Sequence, residues 1–203
     1  IYLDRKFRKS WYINKESLID QFLKIPLNKL NFKLLCKLIY LNYKSPYKKA
    51  KIFLLGDKNP IYAVFLKDLI DVFPDAKFIH LIRDYRDNVL SNVNVIKTES
   101  IPLAAHGWVA YNQEIEKIKK NKPNNFLTLK YEDLVAFPEE YTKRICQFLS
   151  LAFSPEMLEF NKVIEKKVES EGFNSTKEMT DFHPNLIKPI STNHIKKWET
   201  AFT

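Results

Sequence analysis

Glycine is nearly missing from this chain: it has three glycines in 203 residues, and none before Gly56. That scarcity excludes from the first 55 positions the glycine-containing turns whose backbone amides cradle phosphate at the start of a helix. Cysteine is as sparse. Cys36 and Cys146 are the only two, and they show neither metal-ligand spacing nor a small disulfide framework, so both are expected to be buried thiols. No apolar run approaches the roughly 18 residues a membrane-crossing helix needs. The opening IYLDRKFRKSW has no charged-then-apolar leader pattern, and cytoplasmic residence is the resulting expectation. Internal repeats and low-complexity tracts are absent.

What is present is a chain 45% hydrophobic and 14% aromatic, enough for one sizeable core, and a single domain over residues 1–203 is expected. Lysine and arginine outnumber aspartate and glutamate by 33 to 24, for a net charge of +9. The excess favours anionic partners such as phosphates, sulfates or nucleic acid, although lysines on polar helix faces also make an ordinary solvated surface.

Leu18, Ile19, Phe22 and Leu23, then Leu34, Leu35, Leu38 and Ile39, fall at helical spacing and predict helices over 16–25 and 30–41. Lys51-Ile-Phe-Leu-Leu-Gly56 is a short apolar run that predicts a buried strand, followed by the loop Asp57-Lys-Asn-Pro60 and a helix presenting Phe65, Leu69 and Phe73. The pattern then recurs. Residues 77–82 predict a second strand, running through Arg83-Asp-Tyr-Arg-Asp87 into a helix with Val89, Leu90 and Val93. Trp108, Tyr111, Ile115 and Ile118 mark another helical stripe; residues 126–130 predict a third strand, and Pro138 leads a helix with Tyr141, Ile145, Phe148 and Leu149 on one face. Alternating strands and helices predict an α/β fold, a parallel sheet flanked by helices, with ligands bound beyond the carboxyl ends of the strands. The site is therefore expected after Gly56, Ile82 and Lys130. From about residue 161 the pattern weakens, and a mobile flap is expected there.

Arg83 at a strand end and Ser91 two helical turns on can reach one phosphate, since guanidinium is a forked, permanent cation, a hydroxyl adds a neutral donor, and helix starts favour anions. The same residues also make caps and surface ion pairs elsewhere. Glu132 and Asp133 stand in a predicted extended segment, where neighbours point to opposite faces, so a structural job suits them better than a catalytic pair. His80, inside an apolar strand, reads as a core histidine; His106 and His183 are expected in loops, with His183 the better placed for substrate contact.

The string KFIHLIRDYRDNVLS, Lys77 to Ser91, closely resembles the 3′-phosphate motif of sulfotransferases that use 3′-phosphoadenosine-5′-phosphosulfate. Three further segments agree in order. GDKNP at 56–60 resembles the family's Lys-x-Pro segment, LKYEDLVAFPEE at 129–140 its Tyr-Glu-Asp-Leu strand and Pro-led helix, and NLIKPISTNHIKKW at 185–198 its C-terminal Lys-Pro segment and Lys-Trp closure. The resemblance implies the phosphate-loop-hydrolase-like sulfotransferase fold and transfer of a sulfuryl group to a hydroxyl or amine, without a metal. It assigns Arg83 and Ser91 to the donor's 3′-phosphate, Tyr131 to the adenine, Lys197 (or, less favoured, Lys196) to the phosphates, and Lys58 to charge at the transferring group.

Two departures qualify it. The family's loop for the 5′-phosphosulfate precedes all of these motifs and does not occur here, and the general base that commonly follows it could be only Asp4, Glu16 or Asp20 within this sequence. Val95 stands one turn past Ser91 where tyrosylprotein sulfotransferases carry arginine, which disfavours a peptidyl-tyrosine acceptor. Two other readings fit the residues: a related phosphate-loop kinase, which requires Gly-x-x-x-x-Gly-Lys-Ser/Thr and a magnesium carboxylate, and a nonenzymatic nucleotide- or polyanion-binding module. The binding module predicts salt-steep binding indifferent to an adenosine 3′-phosphate, and specific nucleic-acid binding is not expected.

Overall fold

The computed structural model describes residues 13–43, 52–96, 100–162 and 184–201. The chain divides into two compact units, residues 1–59 with 167–184 and residues 60–166 with 185–203.

In the first unit, Asn14 and Asn31 start the two expected helices. Each side-chain oxygen takes the amide three residues on, Ser17 N–H at 3.1 Å and Leu34 N–H at 2.9 Å, so satisfying a donor that the first helical turn leaves over. The helices are α1, Lys15–Leu23, and α2, Phe32–Asn42. Buried Asn42 joins them: its amide donates to Leu38 O at 2.9 Å and to Gln21 Oε1 at 3.2 Å, and an antiparallel bridge pairs Ile13 with Tyr43. Of the expected apolar stripe only Leu18 and Leu38 are buried; Ile19 and Leu23 face solvent. Cys36 is half-buried rather than buried, and desolvation raises its thiol pKa.

The strand expected at 51–56 does not form. Residues 52–59 carry no ladder pairing, Phe53 is 84% exposed, and Leu54 and Leu55 are also exposed. An apolar run becomes a strand only when a neighbour takes its N–H and C=O groups, and among the described residues no strand pairs with this one.

The second unit holds the sheet. Strands β1, Phe78–Ile82, and β2, Phe126–Lys130, pair in parallel with Phe78 opposite Phe126 and Ile82 opposite Lys130. Their entry loops are tied together, Asn125 Nδ2 donating to Pro74 O and Ala76 O, and Lys77 Nζ to Asn124 O, so the register is fixed where both strands begin. The crossover a parallel pair requires is made by α4, Tyr85–Ile96, and α5, Ile101–Lys119. Helix α3, Leu66–Val72, precedes β1; α6, Tyr131–Ala136, and α7, Pro138–Leu149, follow β2.

Leu66, Ile70 and Phe126 form the core, with Phe78, Ile115 and Ile118 packed against them and the Phe78 and Phe126 rings stacked at 5.0 Å between centroids. Two helical faces are shifted from expectation. In α3 the inward residues are Leu66 and Ile70 while Phe65 is exposed; in α5 Ala104 is buried and Tyr111 points outward. Asn112, one residue on, is the inward group in that turn, because it bonds a buried histidine of β1. Pro138 stands at the first position of α7, where its missing N–H costs nothing. Ser150 ends that helix in the left-handed conformation, φ 57°, so that Leu151 N–H reaches Cys146 O at 2.8 Å. Cys146 is buried as expected.

The described end of the chain contains a single turn of 3-10 helix, Pro184–Ile187, and a short α-helix, α8, Trp198–Ala201. Expected flap residues 163–183, including His183, lie outside the described residues, as does Asp4. No described helix is long and apolar enough to cross a membrane.

Candidate nucleotide site

The parallel pairing sets the carboxyl ends of β1 and β2 side by side, and Arg83 and Tyr131 are the residues that follow those ends. The Arg83 guanidinium carbon lies 5.0 Å from the Tyr131 ring centroid, a cation over an aromatic face. Trp108 Nε1–H donates to Arg83 O at 3.1 Å, fixing the backbone at the turn. Arg83 Nη2 donates to His194 O at 2.6 Å, which brings the C-terminal segment onto the site, while buried Arg83 Nε has no hydrogen-bond partner among the described residues.

Asp84 caps α4. Its carbonyl takes Asn88 N–H, its Oδ1 takes Arg86 N–H at 2.9 Å, and the Arg86 guanidinium grips the same carboxylate at 3.0 and 2.6 Å. These bonds to Arg86 hold the Asp84 pKa below the usual carboxylate range. Glu132 Oε1 accepts the Asp84 N–H at 2.9 Å, linking the two strand-end turns, and Asp133 Oδ2 accepts Tyr141 O–H at 3.2 Å. Both acids are structural, as expected, but they sit in the first turn of α6 rather than in extended chain.

Asp87 is 1% exposed. Its two oxygens accept Lys196 N–H at 2.7 Å and Trp198 N–H at 3.1 Å, and the Trp198 ring lies 3.6 Å from the Arg86 guanidinium carbon. Lys196 has φ 59°, the left-handed turn that points both amides one way, and its Nζ is 3.9 Å from Glu199. Lys197 stands between the two anchored amides with an exposed side chain. Ser91 is four residues after Asp87, so it shares the α4 face on which this segment docks.

The His194 ring is surrounded by positive charge. Its pKa is lowered by partial burial and then by repulsion from Lys197, Arg83 and Lys188. Arg83 thus meets Tyr131 directly and shares the neighbourhood of the His194 ring with Lys197, while Ser91 is placed in the second unit by its position on α4. Lys58 belongs to the first unit, where it is exposed and its N–H bonds Asp57 Oδ1 at 2.8 Å; Asp57 also accepts Tyr40 O–H. Glu16 and Asp20 are exposed on α1, Asp20 paired with Lys24 at 2.6 Å. His106 lies within α5 rather than in a loop, and the side chain of Val95 is outside the description. Asp87, Trp108 and His194 were not singled out from the sequence. Asp87 had one available signal, an acid on the Val89 and Leu90 side of an apolar helix, but its partners are more than a hundred residues away.

Behind Arg83 a buried polar chain crosses from α5 to the sheet. Asn112 Nδ2 donates to Trp108 O at 2.7 Å, which turns its Oδ1 toward His80 Nε2 at 2.9 Å; His80 therefore carries its proton on Nε2 and leaves Nδ1 bare, 3.7 Å from Glu116. Burial is the main cause that lowers the His80 pKa. A histidine kept neutral in the fold but free to charge when unfolded favours the unfolded chain at acid pH. Stability is therefore expected to be flat above about pH 6.5 and to decline below it until the folded pKa is passed. Urea midpoints measured from pH 8 to 5 check this: His80→Gln, which cannot titrate, should flatten part of the decline, and His194→Gln a further part. Equal slopes in all three proteins would contradict it.

Among the described residues no group of three or more acids, histidines and cysteines is placed to hold a metal ion.

Comparison with known proteins bears on the family and the fold. A model of the Sulfotransferase family matches residues 6–155. A Caenorhabditis briggsae relative provisionally named a protein-tyrosine sulfotransferase is 29% identical over 160 residues, covering 73% of this chain and 53% of its own length. Protein-tyrosine sulfotransferase 1 of Danio rerio is 26% identical over 154 residues, 71% of this chain and 41% of its own. The omega-hydroxy-beta-dihydromenaquinone-9 sulfotransferase of Mycobacterium bovis is 28% identical over 119 residues, 52% of this chain and 30% of its own. The chain spans about half the length of the curated relatives it matches. In structure it is similar to the sulfotransferase domain from the curacin biosynthetic pathway, with TM-score 0.62 and 23% identity over 83% of this chain and 60% of that one, which shows the α/β sulfotransferase fold. Together with a match over three quarters of the sequence, the order of elements and motifs means that the chain belongs to the Sulfotransferase family.

Proposed function

We propose that this protein binds 3′-phosphoadenosine-5′-phosphosulfate and that it transfers the sulfuryl group to a hydroxyl or amine, with residues 1–203 forming one sulfotransferase-like domain. The observation that carries this reading is the arrangement at the ends of β1 and β2. There the half-buried Arg83 guanidinium, whose Nε has no partner among the described residues, rests on Tyr131, and the cationic C-terminal segment is docked beside it. Arg83 and Ser91 take the 3′-phosphate, Tyr131 offers an apolar face to the adenine, and Lys197 adds positive charge from the C-terminal segment.

The transfer is an in-line displacement at sulfur. A bond forms from the acceptor oxygen or nitrogen to sulfur, the bond from sulfur to the bridging phosphate oxygen breaks, the acceptor proton passes to a base, and adenosine 3′,5′-bisphosphate departs. Positioning and cationic stabilisation supply the catalysis, with Lys58 offsetting charge at the transferring group. The relatives named above act on protein tyrosine and on an omega-hydroxy menaquinone, both hydroxyl-bearing acceptors, which favours a hydroxyl over an amine.

Calorimetric titration with adenosine 3′,5′-bisphosphate, and with adenosine 5′-monophosphate as control, tests the donor. Micromolar binding that depends on the 3′-phosphate is expected. Equal, salt-steep binding of both nucleotides would sink the reading and leave a basic polyanion-binding module.

A further inference from the structure

Asp87 has no contact to a donor phosphate in any assignment above, yet it is the most deeply buried charged residue in the described chain. A buried carboxylate is costly unless each oxygen is met by a donor. Here both donors are backbone amides of one distant segment, Lys196 N–H and Trp198 N–H, and the residue between them is Lys197. The same segment is held a second time through Arg83 Nη2 on His194 O, and Trp198 rests on Arg86. The left-handed turn at Lys196 gives those two amides a common direction, and Lys196 itself turns toward Glu199. Lys197 and Arg83 both stand close enough to the His194 ring to repel its proton, so the two cations share one neighbourhood.

We infer that Asp87 is a positioning residue for the nucleotide donor: by accepting the amides on either side of Lys197, its carboxylate holds that lysine at the 3′-phosphate site formed by Arg83 and Ser91. The inference rests on the donor reading proposed above. Asp87 acts only through the backbone of the segment and needs no contact with the nucleotide. Asparagine is the sharpest substitution, because it keeps the shape but turns one oxygen into an NH2 that faces an N–H, and no flip of the amide repairs both bonds.

Three measurements test it. Hydrogen exchange without nucleotide should find the Lys196 and Trp198 amides protected in the wild type and exchanging at least about tenfold faster in Asp87→Asn. Calorimetry should find adenosine 3′,5′-bisphosphate bound about tenfold more weakly by Asp87→Asn, the loss of one charged contact, with adenosine 5′-monophosphate unchanged. Lys197→Ala should cost about the same alone and nothing further in the Asp87→Asn background, since both changes remove one contact. Additive losses, or faster exchange with bisphosphate affinity intact, would reduce Asp87 to a structural group and overturn the inference. A wild type blind to the 3′-phosphate would instead overturn the donor reading itself, and this assignment with it. If Asp87→Asn does not fold, Lys196→Pro, at an exposed position, removes one of the two amides and, with its φ fixed at about −65°, undoes the left-handed turn; its readouts are exchange of the Trp198 amide and the two calorimetric titrations.

Discussion

Replacing Arg83 by alanine is expected to weaken adenosine 3′,5′-bisphosphate roughly a hundredfold while leaving adenosine 5′-monophosphate within about twofold, because hydrogen bonds to charged groups contribute about 1.5–3 kcal/mol each and a forked guanidinium offers two. The structure explains why this arginine should matter more than its neighbours. Arg86 is committed to Asp84 through its Nε and Nη2 and to the Trp198 ring, whereas Arg83 is fixed by its backbone carbonyl on Trp108, engages His194 O through Nη2 alone, and keeps a buried Nε without a partner among the described residues. Arg83→Lys should recover only part of the loss, since a point charge cannot reproduce the fork. Calorimetric titration of the three proteins is the check; bisphosphate affinity unchanged in Arg83→Ala would mean that the phosphate lies elsewhere.

The second large effect concerns folding rather than binding. Phe126→Ala is expected to destabilise the protein by about 3–5 kcal/mol, a large share of the roughly 5–15 kcal/mol of a typical domain. Phe126 is 7% exposed, opens β2 opposite Phe78, stacks on that ring, and fills the space between Leu66 and Ile70 of α3. Its removal leaves a cavity that the paired strand starts, tied by Asn125 to Pro74 and Ala76, cannot close. Phe126→Leu retains most of the volume and should cost clearly less. Urea unfolding gives both values; a loss under about 1 kcal/mol for the alanine variant would show that the core lies somewhere else.

The sequence was legible where local pattern and tertiary environment agree. The strand at 126–130 and the Pro138 helix are where they were expected, because each carries its own apolar period and punctuation and each also found a partner. Residues 51–56 had the same local signal as 77–82, yet among the described residues only the latter run has a strand beside it, and pairing is a property of the neighbour rather than of the run. The phase of α5 was misread at Tyr111 because an asparagine, by serving His80, occupies the inward position that hydrophobicity alone gives to an aromatic. That Arg83 and Tyr131 lie together was legible because both follow strand ends, which the sheet brings side by side in a parallel pairing. Asp87 and His194 were not, since the bonds that define them close loops of more than a hundred residues.

The bare stretch Phe53-Leu-Leu55 bears on how the protein behaves at concentration. Three consecutive exposed apolar residues attract other copies of themselves, and what opposes that attraction is the repulsion of a chain charged +9. Dissolved salt shortens the reach of that repulsion to about 10 Å at 0.1 M. The same screening weakens the grip of the basic cluster on a phosphorylated ligand. Ionic strength thus acts on colloidal stability and ligand capture in the same direction, and a dilute buffer serves both.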